Sequence, residues 1–192
     1  MRTYLPRTVD DELTRALRTS GAVVIKGPRA CGKTETARRA AASEIGLDQD
    51  TAVMALSAAD PRLLLDGATP RLLDEWQAVP GVWNAVRHAV DDRGARGQFI
   101  LTGSSTPTVG GAHSGVGRIA PMVMRTMTLF ESEESSGRIS LQRLFDGEEE
   151  VADIAPLDIE DIARILCRGG WPAAVTAGAT SVPGRLARTY VE

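Results

Sequence analysis

The stretch Gly27-Pro28-Arg29-Ala30-Cys31-Gly32-Lys33-Thr34 has the residue types and spacing to hold phosphate. It fits G-x-x-x-x-G-K-[ST], in which a Gly-rich loop turns its N–H groups inward. Those donors, with the N-terminus of a following helix, meet anionic oxygens. In that scheme Gly27 to Thr34 cradle the phosphates of a nucleotide. Lys33 reaches the β- and γ-phosphates, and the Thr34 hydroxyl ligates Mg²⁺. Composition singles out the lysine. The chain has 22 Lys+Arg, and only Lys26 and Lys33 are lysines. Where Arg serves almost everywhere, Lys marks a place that needs a compact ammonium.

Nucleotide hydrolysis needs more than phosphate binding. It needs a metal, an activated water and charge compensation on the γ-phosphoryl group. Asp74 and Glu75 follow the apolar Leu72-Leu73 and end an expected strand. Asp74 is placed to hold Mg²⁺ beside Thr34, and Glu75, aimed differently, to take a proton from the attacking water. Solvent exposure alone is the plainer account of two adjacent acids, but their position one expected strand after the loop favours chemistry. Thr102 and Ser104 end another apolar strand, Gln98 to Ser104, where a hydroxyl can bond the water or the γ-phosphate. Arg118 follows the Gly-rich Ser114-Gly115-Val116-Gly117. It reads either as an arginine finger or as a surface arginine. His113 reads as a loop residue and His88 as a structural or solvent-facing one. Gly115-x-Gly117-x-x-Ala120 matches a dinucleotide fingerprint but follows no strand, so it is set aside.

The elements that position these groups alternate. Apolar Ala22 to Lys26 predicts a buried strand before the loop, and Glu35 to Ile45 a helix after it. Asp10 to Thr19 reads as a short helix before that strand. Thr51 to Leu56 predicts a second strand, and Asp60-Pro61 the start of a short helix through Leu65, with Asp60 as N-cap. Pro70 to Glu75 predicts a third strand, and Trp83 to Asp92 a helix burying Trp83, Val86, Ala89 and Val90. Gln98 to Ser104 and Pro121 to Leu129 supply the fourth and fifth strands, with a Gly/Ser/Thr-rich loop over Ser104 to Gly117. Ser140 to Phe145 reads as one helical turn. Asp158 to Cys167 reads as a helix with Ile159, Ile162 and Ile165 inward, stopped at Gly169-Gly170-Trp171-Pro172. This alternation predicts a mostly parallel α/β sheet whose ligands bind at the carboxyl ends of the strands. The character changes beyond Leu129, so the expected organisation is a core over 1–130 followed by a separate segment over 131–192.

Composition narrows the partners. Net charge is −3, without a global basic signature for nucleic acid. Nucleic acid stays open as a partner: the pairs Arg15/Arg18 and Arg38-Arg39 could contact phosphates, though two short pairs in an acidic chain are more often solvated surface. Cys31 and Cys167 lack the spacing of a zinc site or a disulfide framework. No run approaches the length of a membrane span, and the polar N-terminus does not resemble a signal peptide. A soluble, cytoplasmic protein is the expectation.

Taken in order, Gly27 to Thr34, Asp74-Glu75-Trp76-Gln77, Phe99 to Ser105, His113 to Arg118 and Gly169-Gly170-Trp171-Pro172 resemble the AAA-family ATPases of bacteria and archaea that carry an uncharacterised C-terminal domain. Leu5-Pro6-Arg7 is similar to that group's N-terminal lead-in. The resemblance implies an AAA+-like P-loop NTPase: a five-stranded parallel sheet in the order 5-1-4-3-2, flanked by helices, with a small helical C-terminal lid. It implies Lys33 and Thr34 as Walker A, Asp74 and Glu75 as Walker B, and Thr102 or Ser104 as the polar sensor. Members continue past the lid, so it also implies a fragment or a truncated member. The expected activity is Mg²⁺-dependent ATP hydrolysis driving a conformational change in an attached domain, a partner or a homo-oligomer. The other readings are a nucleotide-gated binding module that barely hydrolyses and, against the lack of an Arg-rich lid after the fourth strand, a small-molecule kinase.

Overall fold

Three short buried strands, flanked by two edge strands that are more exposed, form a five-stranded parallel sheet in the order β2-β3-β4-β1-β5. A computed structural model describes residues 4–48, 53, 55, 60–103, 115–148 and 157–177. The strands are β1 (Ala22–Lys26), β2 (Ser43–Gly46), β3 (Arg71–Asp74), β4 (Phe99–Gly103) and β5 (Ile119–Val123). This is the expected order. Side chains alternate across each strand and so feed two cores. Val24, Leu73, Phe99 and Leu101 pack on one face against α3 (Gly81–Arg93) and the 3₁₀ turn Pro61–Leu65. Val23, Ile25, Leu72 and Ile100 pack on the other against Leu13 of α1 (Val9–Thr19) and Ala37 of α2 (Lys33–Ala40).

The second strand is a correction. The expected helix over Glu35 to Ile45 stops at Ala40, and Ser43–Gly46 pairs with Arg71–Asp74 as the sheet edge. Of the stretch expected to be that strand, Thr51 to Leu56, only Val53 and Ala55 are described, and both are helical. Helix propensity in an Ala/Arg/Glu-rich stretch is worth a few tenths of a kcal/mol per residue, and ladder pairing overrides it. Arg38 also fastens the edge, its Nη2 lying 2.7 Å from Glu44 Oε1. The fifth strand begins earlier and ends sooner than the expected Pro121 to Leu129. The N-cap at Asp60 is as expected, its side chain accepting from the Arg62 N–H.

Two compact units divide the chain: Thr8–Arg125, which holds the whole sheet, and a second made of the lead-in through Arg7 with the chain from Thr126 onward. The second contains α4 (Leu141–Phe145), α5 (Ile159–Arg168) and α6 (Pro172–Thr176). In it, Arg7 and Glu131 form a buried ion pair, Nε to Oε1 3.2 Å. The other Glu131 oxygen accepts from the Thr128 N–H at 2.8 Å. On α5 only Ile165 is buried. Ile159 is 84% exposed and Ile162 47% exposed, against the expectation that all three point inward.

Arg168 donates to Glu134 through Nη1 at 2.5 Å and Nη2 at 2.7 Å. The guanidinium holds the Glu134 carboxyl below the usual carboxylate range, with help from Ser132 and against partial burial. A depressed folded value means stability that is fully present above the ordinary glutamate range, about 4.3, and is lost as the pH falls from there through the lower folded value. Glu134→Gln should therefore remove roughly 1–2 kcal/mol from this unit at neutral pH and progressively less as the pH falls through the depressed folded value, read by urea titration along that series. Arg7→Ala should cost more, roughly 3–5 kcal/mol, because it strands a buried carboxylate.

Candidate functional site

The loop after β1 takes its shape from two glycines with different reasons. A Cβ on Gly27 would lie 2.1 Å from the Met124 carbonyl oxygen, so the backbone approaches β5's end too closely for any side chain. The same stretch is fastened by the Met124 N–H, which donates to the Lys26 carbonyl at 2.7 Å. Gly32 has φ +105 and begins α2 without a side-chain cap. The first-turn N–H groups of α2 are therefore not taken by a cap, the arrangement that favours an anion. Cys31 is fully buried, with Sγ 3.8 Å from the Met124 carbonyl oxygen, and packs in the second apolar cluster. Pro28, Arg29 and Ala30 form the exposed tip, Ala30 at φ +58.

Lys33 is buried and donates from Nζ to the Gly27 carbonyl at 3.0 Å and the Pro28 carbonyl at 2.9 Å. An ammonium has three N–H donors, so one remains for a phosphate oxygen. Thr34 Oγ1 donates to Asp74 Oδ1 at 2.9 Å, across forty residues of sequence. Thr102 Oγ1 donates to the same oxygen. Asp74 is 5% exposed and Thr102 fully buried, so a carboxylate at the end of β3 is held by hydroxyls from α2 and β4. Glu75 leaves the strand at φ +53, a left-handed conformation uncommon for a non-glycine residue, so the two adjacent carboxylates do not share an environment. The Glu75 carboxylate accepts from Gln77 Nε2.

The P-loop, Asp74, Glu75 and Thr102 thus gather at one end of the sheet. The Thr102 hydroxyl goes to Asp74, because β4 lies beside β3 in register. Ser104 and His113 lie outside the described residues. Arg118 is not brought to the loop. Its carbonyl accepts from the Ala22 N–H at 3.0 Å, at the start of β1, while the phosphate loop follows that strand's far end. Five residues of strand separate the two ends by about 16 Å. The Arg118 guanidinium is engaged by Asp91 of α3 at 2.7 Å. Gly117 leads into β5 and not into a helix, which disposes of the dinucleotide fingerprint. His88 is exposed on α3. Among the described residues no three His, Cys, Asp or Glu side chains gather as a metal cluster. Thr34 Oγ1 and the Asp74 carboxylate are the described oxygens that could hold a cation beside nucleotide phosphates. Trp76 and Gln77, on the 3₁₀ turn Trp76–Ala78, stand out in the sequence only as part of a motif, without a role of their own. Their signal was only their place directly after the acids.

A family model described as an AAA domain matches residues 19–133, from the end of α1 to just past β5. The chain belongs to this family of AAA domains. The family is one of nucleotide-binding, ATPase-like proteins, in keeping with the loop and the strand order. An uncharacterized protein of Mycobacterium bovis and one of Mycobacterium tuberculosis are each 28% identical to this AAA chain over 173 residues, covering 86% of it and 33% of themselves. The chain spans about a third of the length of these relatives. Among the described residues no helix is long and apolar enough to cross a membrane.

The Asp74 network yields a stability test. Thr102→Val keeps the shape and removes one donor from a buried carboxylate. Urea unfolding should show a loss of roughly 1–3 kcal/mol, and Thr34→Val, nearer solvent, a smaller one.

Proposed function

We propose that the chain is a Mg²⁺-dependent ATPase whose hydrolysis drives a conformational change in an attached domain or partner. The observation that carries this reading is the Thr34–Asp74 hydrogen bond with Glu75 turned away beside it. It joins the helix that starts at the phosphate loop to the strand end bearing the acids. The donor set fits the nucleotide and the metal. Backbone N–H groups of Gly27 to Thr34 and the Lys33 ammonium would hold phosphate oxygens, and Thr34 Oγ1 with Asp74 would hold Mg²⁺. The bound metal would supply charge compensation on the phosphates. Thr102 keeps the Asp74 carboxylate oriented. Glu75, half-buried and one residue on, accepts the proton of the attacking water. Mass and charge then balance as ATP and water giving ADP and phosphate. A cytoplasmic location suits that substrate.

The second reading is a binding module that holds ATP and hydrolyses it negligibly. It is favoured by Arg118, which faces Asp91 at the far end of the sheet from its own phosphate loop. An arginine there serves a neighbouring copy's nucleotide or none. Phosphate-release assays separate the readings. The ATPase should show Mg²⁺-dependent turnover that falls by roughly 10²- to 10⁴-fold in Glu75→Gln while ATP still binds. Undiminished turnover in that variant would remove Glu75 from the chemistry. If Arg118 acts between copies, Arg118→Ala should lower turnover and abolish its rise with protein concentration. Tight ATP binding without phosphate release at any concentration would establish the binding module.

A further inference from the structure

Glu75 needs something to fix its carboxylate. Its backbone is set by the left-handed turn, but three side-chain torsions remain free to rotate. Asp74 is pinned by two hydroxyls. Glu75 is met by the amide of Gln77, two residues on, whose Nε2 donates to Glu75 Oε2. A carboxylate offers only acceptors, so the amide must present its NH₂ to it and send Oε1 the other way. That oxygen is buried without a hydrogen-bond partner, as is the indole Nε1 of Trp76. Both face the same point, the last residue of β4. A Cβ on Gly103 would lie 2.2 Å from Gln77 Oε1 and 3.1 Å from Trp76 Nε1. The amide is therefore wedged between Glu75 and the strand end, and only a residue without a side chain leaves it room.

We propose that Gln77 is a positioning residue that sets the orientation of the Glu75 carboxylate and ties it to the end of β4 at Gly103. This rests on the hydrolysis reading and adds to it a route by which the strand end governs the base. An unpaired buried acceptor is destabilising, so it is a place waiting for a donor. A donor reaching Oε1 polarises the amide and strengthens its hold on Glu75. A shift of β4's end against the amide moves the carboxylate.

The test uses the full chain, steady-state ATP turnover and a double-mutant cycle. Gln77→Leu keeps the volume and removes both hydrogen-bonding atoms. It should lower kcat roughly 10- to 100-fold, the scale of a misplaced catalytic group, with KM and ATP affinity within about twofold of wild type. In a Glu75→Gln background it should add nothing. Gly103→Ala, which crowds the amide, should also lower kcat and add nothing to Gln77→Leu. Wild-type or raised kcat in Gln77→Leu, or an equal loss in both backgrounds, overturns the proposal. A readout independent of turnover is the ¹⁵N signal of the Gln77 side-chain amide, assigned by its disappearance in Gln77→Leu. It should move in Glu75→Ala, and an unmoved signal overturns the contact. If Glu75→Gln turns over as fast as wild type, the hydrolysis reading fails instead, and the amide signal decides the contact alone.

Discussion

A buried carboxylate is the constraint on which the site depends. Asp74 is 5% exposed, and an ionised group so placed costs several kcal/mol unless its oxygens are satisfied. Two hydroxyls satisfy one of them, and each imposes a condition on the fold. Thr102 reaches Asp74 only because β4 runs parallel beside β3, with Leu73 opposite Leu101. Thr34 reaches it only because α2 begins at the same end of the sheet. With β4 also paired to β1, Lys26 opposite Gly103, a single strand separates the one bearing the phosphate loop from the one bearing the acids. The order 2-3-4-1-5 is thus what converts a loop and a distant Asp into neighbours.

Legibility in the sequence followed burial. β1 and β4 are apolar on both faces, so Ala22 to Ile25 and Phe99 to Leu101 stand out as continuous runs. β2 does not. Ser43-Glu44-Ile45-Gly46 is a half-exposed edge, too short for a period and embedded in good helix formers. The phosphate loop was readable because its chemistry lies in one contiguous segment. The Thr102–Asp74 bond was not, because which hydroxyl faces which carboxylate depends on cross-strand register. α5 shows the opposite failure. Its apolar spacing is helical, as read, but periodicity says which residues share a face and not whether that face is covered.

Arg118 illustrates how topology overrules proximity in sequence. A Gly-rich loop ending in an arginine suits a mobile finger in composition. Yet β5 is parallel to β1, so a residue just before β5 lies at the end of the sheet opposite the one where β1 releases its loop. Parallel strands fix this independently of side-chain detail. The same rule gathers Thr34, Asp74 and Thr102, since all follow or close the carboxyl ends of strands.

The divergence of Asp74 and Glu75 has its own cause. On a strand, successive side chains point to opposite faces, and continuing β3 by one residue would send Glu75 away from Asp74 along that alternation. The left-handed turn re-aims it, at roughly 1–2 kcal/mol. What holds that conformation is the next residue. Trp76 is 2% exposed and its ring lies 5.1 Å from that of Trp83 on α3. Burying an indole, about 200 Å² of largely apolar surface, contributes about 5 kcal/mol at 25 cal/mol per Å². The anchor outweighs the strain. The 3₁₀ turn adds backbone bonds from the Ala78 N–H to the Glu75 carbonyl and from the Val79 N–H to the Trp76 carbonyl. The catalytic candidate is thus held in place by a hydrophobic contact on the far side of its own turn, so that the packing of α3 reaches the polar end of the sheet through one tryptophan.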